Sequence, residues 1–179
     1  YLEAPDNNDW HFGGGDFTVD GWLRMDNAGG YQTIITHSQS SGTFRYGWRL
    51  SFSSGNFIFQ YSTTGTSYNS SSTFIPPASI EDEQWYHVAV VRFGSILTFY
   101  LNGQASSSQN SMGASEIYNA NAKLFIGTYQ AGSTLFQGDY RGYIDELRVS
   151  KMARWTGDSF TPPTQAFEVS TGGCMMVEM

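Results

Sequence analysis

The sequence predicts an all-β protein, a jelly-roll sandwich of two antiparallel sheets, and three observations carry that prediction. Of 179 residues, 40% are hydrophobic and 16% aromatic but only 14% charged, a balance that suits half-buried pleated surfaces better than helices. Apolar residues recur with a period of two in short segments, and no stretch of useful length shows the 3.6-residue period of a helix. Gly, Asn and Ser punctuate these segments at turn positions.

The elements follow in order. Asp16 to Met25 places Phe17, Val19, Leu23 and Met25 on one face. Tyr31 to His37 is a second strand. Trp48, Leu50 and Phe52 alternate with Arg49 and Ser51, and Ser54-Gly55 turns the chain. Phe57, Phe59 and Tyr61 then alternate with Ile58 and Gln60, so the pair reads as a hairpin. Ser62 to Ser72 reads as a polar connection. Trp85 to Arg92 and Ile96 to Leu101 are joined by Gly94-Ser95, and Asn102-Gly103 is a type I′ hairpin signal. Lys123 to Tyr129 and Gly142 to Ser150 are the last strands, and Pro162-Pro163 closes the folded part. Ser150 to Thr156 could form at most one short turn of helix. Trp10, Trp22, Trp48 and Trp85 stand in strand-like contexts and are expected in the core. About a dozen such strands build two packed sheets rather than a small open barrel.

Length and charge bound the function. The chain fits one large domain, residues 1–167, followed by a tail or linker, residues 168–179, and it buries enough surface to fold without disulfides or metal. Cys174 is the only cysteine, so a bridge within the chain is excluded. The net charge of −7 and pI near 4.7 repel polyanions, which argues against nucleic acid. Acidic loops suit calcium, although the charge serves solubility equally well. No apolar run approaches the roughly 20 residues of a membrane span. The chain begins at Tyr1 without an initiating Met, which reads as a processed product or a piece of a longer protein.

Four segments together resemble the concanavalin A-like lectin/glucanase superfamily, in its laminin G-like and pentraxin-like branch. They are Phe12-Gly13-Gly14-Gly15-Asp16-Phe17-Thr18-Val19-Asp20-Gly21-Trp22, Gln84-Trp85-Tyr86-His87-Val88-Ala89-Val90-Val91-Arg92, Leu97-Thr98-Phe99-Tyr100-Leu101-Asn102-Gly103, and Gly142-Tyr143-Ile144-Asp145-Glu146-Leu147-Arg148-Val149. Their order and spacing carry the resemblance, which covers roughly Tyr1 to Phe167. Ala153-Arg154-Trp155 followed by Phe160-Thr161-Pro162-Pro163 is similar to the family's usual ending, whereas the stretch after Phe167 departs from it. The resemblance implies a jelly roll, often with a structural calcium, and often glycan or protein binding on bacterial surface proteins or phage particles.

It also raises the question of glycan cleavage. A retaining glycosidase needs two carboxyl groups roughly 5–5.5 Å apart. Glu81-Asp82-Glu83 precedes a strand and reads as a solvated loop cluster. Asp145 and Glu146 are adjacent, so regular alternation sends them to opposite faces. His11, His37 and His87 stand alone, and His87 reads as a structural histidine. No enzyme is expected.

For the calcium that the resemblance implies, Asp145 is the family-like ligand. Asp6 or Asp9 by side chain and the Gly15-Asp16 turn by backbone would complete the set. The alternative is that Asp145 caps a turn or pairs with Arg148 or Arg141. Saccharides present apolar C–H faces rimmed by hydroxyls, so aromatics in turn-rich regions beside polar neighbours are the candidate ligand-binding residues. They are Tyr46 with Arg45, Tyr68 with Asn69, Tyr129 with Gln130, and Tyr140 with Arg141. Edge packing is the competing explanation for each aromatic. Two functions stay open: a carbohydrate-binding or adhesion module of an extracellular, cell-surface or virion protein, and an assembly domain of a phage particle that packs on copies of itself or on shell proteins.

Overall fold

Period-two patterning converts into strands wherever one face of a segment can be buried. The computed structural model describes residues 1–39, 44–107, 109–132, 134–167 and 175–177. Its strands are β1 (Leu2–Ala4), β2 (Phe17–Met25), β3 (Gln32–Gln39), β4 (Arg45–Ser53), β5 (Asn56–Tyr61), β6 (Ser70–Phe74), β7 (Trp85–Phe93), β8 (Ile96–Leu101), β9 (Gln104–Ala105), β10 (Asn110–Ser111), β11 (Leu124–Ile126), β12 (Tyr129–Gln130), β13 (Phe136–Gln137), β14 (Gly142–Ser150) and β15 (Met175–Val177). The first sheet runs β1-β11-β3-β4-β5-β6 and the second β10-β8-β7-β2-β14-β15, with β9 beside β8. β12 and β13 form a small hairpin of their own. Among the described residues, no helix is long and apolar enough to cross a membrane.

The expected inward residues meet between the sheets. Phe17 and Val19 of β2, Trp48, Leu50 and Phe52 of β4, and Phe57 and Phe59 of β5 are all buried. Aromatic contacts stitch the layers together: Phe17 lies 5.4 Å from Phe59, and Phe74 lies 5.7 Å from Phe99, centroid to centroid. The outer face of the second sheet is covered as well. Ala89, Val91 and Tyr100 pack there against Ala153, Trp155 and Phe160 of the segment after β14, and Trp155 stacks on Phe160 at 3.7 Å. Beneath that segment Arg148 makes two bonds, of 3.0 and 2.8 Å, to the carboxylate of Asp20.

Several expectations are corrected. Ser70–Phe74, inside or beside the stretch read as a polar connection, is an edge strand that pairs with β5 from Phe57↔Phe74 to Tyr61↔Ser70. Its Ser/Thr composition hides it, because only alternate side chains, Ser72 and Phe74, are buried. Lys123 to Tyr129 splits into β11 and β12 at Gly127, whose φ of +78° breaks the pairing. Ser150–Thr156 contains no helical turn; the 3-10 turn is at Asn8–Trp10, where the Asn7 side chain accepts from the Asp9 N–H. Trp85 is 44% exposed and Trp22 only half-buried, because both lie on the outer face of the second sheet, whereas Trp10 and Trp48 are core. In the tail, Met175–Val177 adds an antiparallel strand to β14, and Cys174 lies outside the described residues.

Bulges interrupt the alternation where it matters most. Between Trp48↔His37 and Tyr46↔Ser38, β4 advances two residues while β3 advances one, leaving Gly47 as the extra residue. Strict alternation would send Tyr46 to the core beside Trp48; the bulge turns it outward. A Cβ on Gly47 would sit 2.5 Å from the His37 carbonyl oxygen, so only glycine fits there. β14 bulges likewise between Asp145 and Arg148, with Glu146 at φ +48°.

Candidate functional site

The outer face of the first sheet carries the residues that alternate with the core. Arg49 of β4 lies opposite Gln60 of β5 and Thr36 of β3. The Gly47 bulge brings Tyr46 to the same side, and the loop before β6 brings Tyr68. Tyr129 comes from β12. These residues, with Ser38 and Gln130, line a cleft of about 240 Å³.

Its geometry is organised around Arg49. The guanidinium carbon lies 4.7 Å from the Tyr68 ring centroid, 5.0 Å from that of Tyr129 and 5.4 Å from that of Tyr31. Such positions draw the cation to the electron-rich ring faces. Arg49 Nη2 donates to Gln60 Oε1 at 2.6 Å, which fixes the plane of the fork. Tyr68 is held by its hydroxyl, 2.6 Å from Ser38 Oγ and 3.2 Å from Thr36 Oγ1, and Tyr129 donates to Gln137 Oε1 at 2.8 Å. Burial pushes the Tyr68 hydroxyl above its ordinary pKa, with Arg49 opposing; burial does the same to Tyr129. Both phenols therefore stay neutral at physiological pH. Tyr46 meets Tyr68 edge-on at 4.9 Å and stacks beside Phe44 at 6.0 Å. The row Phe44, Tyr46, Tyr68, Arg49, Tyr129, Tyr31 is thus continuous, and its ends are open: Phe44 is 59% exposed and Tyr31 39%.

Four of the eight ligand-binding candidates, Tyr46, Tyr68, Tyr129 and Gln130, line this cleft. The other four have different places. Arg45 donates to the Asn121 carbonyl at 2.9 Å, and Asn69 is bonded twice to Thr63, so both fasten loops. Tyr140 packs on the core, with burial raising its hydroxyl pKa. Arg141 lines a separate hollow with Tyr31, Gln32 and Asp139. Arg49 and Tyr31 lie outside the sequence candidates because Arg49 stands within a strand and Tyr31 directly before one, not in turn-rich stretches. The available signal was a lone cation at an outward strand position, one residue from Trp48 and three from Tyr46.

The proposed calcium ligands do not converge. Asp145 pairs with Trp22, whereas Asp16 precedes Phe17, six residues back along β2 and so about 20 Å away at strand rise. Asp16 Oδ1 accepts from the Gly94 N–H at 2.7 Å. Asp6 faces His37 Nε2 at 3.3 Å on the first sheet. Asp9 sits in the 3-10 turn, which Lys151 ties to the Asp16 end of the second sheet through the Asn8 carbonyl. Asp145 Oδ1 accepts from the Glu146 N–H at 2.9 Å, the capping alternative, while Arg148 pairs with Asp20 instead. Among the described residues, no group of three His, Cys, Asp or Glu is placed to hold a metal.

The expectation for one acidic pair is corrected too. The β14 bulge defeats the alternation expected to separate Asp145 and Glu146, and both line a wider hollow of about 590 Å³ beside Trp22 and Trp85. Each nevertheless accepts a backbone N–H, Asp145 from Glu146 and Glu146 from Phe167 at 2.7 Å. Glu81, Asp82 and Glu83 are exposed loop residues; Asp82 accepts from the Ala28 N–H, and Glu83 faces Arg24. His87 is buried against Trp22, Trp155 and Phe160, a structural setting.

Comparison with solved structures returns the same architecture. A candidate carbohydrate-binding protein from Bacteroides ovatus superposes with a TM-score of 0.59 at 16% identity, covering 80% of this chain and 39% of that one. This chain therefore spans about two fifths of that protein. The heptameric SAP-like pentraxin of Limulus polyphemus gives 0.59 at 18% identity, over 98% of this chain and 90% of its own. At these identities the likeness is one of fold. No curated protein sequence matches the chain. Residues 1–156 match a laminin G family profile, and with two antiparallel sheets already traced through those residues, the chain belongs to the concanavalin A-like lectin/glucanases superfamily.

Proposed function

We propose that the chain is a non-catalytic carbohydrate-binding module and that the cleft around Arg49 is its binding site. The observation that carries this reading is the open row of aromatic rings interrupted by one fixed guanidinium on a rigid sheet. Ring faces receive the C–H faces of a pyranose, while the Arg49 guanidinium offers donors to its hydroxyls. Among the described residues no carboxylate lines the cleft, and glycoside hydrolysis requires a pair of them. The fold likeness to a candidate carbohydrate-binding protein supports the reading. On this proposal the parent protein is a secreted, cell-surface or particle protein, where glycans are met.

The test is a glycan array probed with the unsubstituted chain and with Tyr46→Ala, alongside the solution mass. Glycan signals lost in the variant support the reading. A stable oligomer with no glycan signal would overturn it in favour of an assembly domain.

A further inference from the structure

We infer that the cleft selects an acidic saccharide, one whose carboxylate or sulfate group is received by Arg49; this rests on the saccharide-binding reading above. The chain has 16 acidic residues against 9 basic ones, yet among the described residues Arg49 is the only charged one lining the cleft. Arg24 pairs with Asp26 and Glu83, Lys123 with Glu3, and Arg148 with Asp20. Among the described residues, no carboxylate is within ion-pair distance of Arg49. Its Nε is buried and has no hydrogen-bond partner.

A half-buried guanidinium without a countercharge is costly to desolvate, and ring stacking offsets only part of that cost. Stacking occupies the faces of the guanidinium and Gln60 takes one Nη2 hydrogen, which leaves the rest of its edge as the donor surface. That edge is a planar fork, and the groups it fits best are carboxylate and sulfate, whose charge-assisted bonds exceed those of a neutral hydroxyl. Tyr68 and Tyr129 have their hydroxyls tied to the protein, so they act as walls for the fork rather than as sugar partners. The exposed rings lie at the two ends of the row, Phe44 and Tyr31. The arrangement suits an oligosaccharide with an acidic unit at Arg49 and flanking units on the rings. The net charge of −7 repels polyanions in general, so affinity for an acidic glycan must come from a specific contact.

Calorimetric titration of the full chain tests this with three probes of matched length: oligogalacturonate, a sulfated carrageenan oligosaccharide and a neutral cello-oligosaccharide. One acidic probe is expected to bind at least about tenfold more tightly than the neutral one, and to weaken as salt rises. Which acidic probe binds distinguishes carboxylate from sulfate. Arg49→Gln should lower the acidic affinity on the order of a hundredfold. Arg49→Lys, which keeps the charge and loses the fork, should recover part of it, and Lys151→Ala should bind as the parent does. Thermal melts establish that each variant folds, and the salt dependence of the parent chain needs no variant. Equal binding of acidic and neutral probes, independent of salt and of Arg49, overturns the acidic preference and leaves saccharide binding standing. Binding of no probe, together with a blank glycan array, overturns both.

Discussion

Replacing Arg148 by Met isolates the energetics of the buried ion pair beneath the C-terminal segment. The Asp20 side chain is fully buried and takes both of its charge-assisted bonds from Arg148. His87 Nε2, 3.5 Å from Asp20 Oδ2, is the remaining polar neighbour. Arg148→Met keeps an aliphatic chain but removes the guanidinium whose carbon lies 3.6 Å from the Phe167 ring centroid, so the variant strands a buried carboxylate and also loses that cation–π contact. Stranding one member of such a pair costs about 3–5 kcal/mol. For a domain of this size each kcal/mol lowers Tm by about 2–4 °C, so the expected fall is roughly 6–20 °C. The double variant Asp20→Leu with Arg148→Met removes the stranded charge and should return to within about 1 kcal/mol of the parent. Urea denaturation of the four members of the cycle measures the coupling. A cost below about 1 kcal/mol for Arg148→Met, or a double variant weaker than the single, would refute the view that this pair is dry.

Three further outcomes are expected. Burial holds the His37 imidazole below its ordinary 6.5, against the opposing pull of Asp6 and with His11 adding to the effect. The unfolded chain then takes up the proton first, so stability falls as pH drops from about 6.5 to the lowered folded value, with a slope of at most about 1.4 kcal/mol per pH unit. Urea titrations of the parent and His37→Gln across that window should diverge, and parallel curves would exclude the effect. Gly47→Ala forces a Cβ onto the His37 carbonyl and should cost about 1–3 kcal/mol with a loss of glycan binding; an unchanged melt would mean that the bulge tolerates a side chain. Chelation should leave Tm unmoved, because Asp6, Asp16 and Asp145 are engaged with protein partners; a drop that calcium reverses would identify a site built from other groups.

The sandwich was legible because its signals are local. Phe57, Phe59 and Tyr61 alternate within six residues, and Asn102-Gly103 adopts the two positive φ values, 48° and 78°, that its composition favours. β6 was not legible, since an edge strand buries one face over few residues and tolerates Ser and Thr. Half of the candidate site was visible as tyrosines in turn-rich stretches. Arg49, at its centre, was hidden in a strand, where nothing local distinguishes a binding cation from a solvated one.

The amino-acid sequence by itself determined the all-β class, the positions of the long strands and the residues that fill the core, because period-two burial and turn chemistry are properties of neighbouring residues. The tertiary structure alone decided which residues share a surface. The Gly47 bulge turned Tyr46 outward, and the β14 bulge put Asp145 and Glu146 in one hollow. The pairing of β14 with β2 held Asp145 beside Trp22, six residues along the strand from Asp16. Bulges and register are set by partner strands distant in the chain, and a shift of one residue exchanges the two faces of everything beyond it.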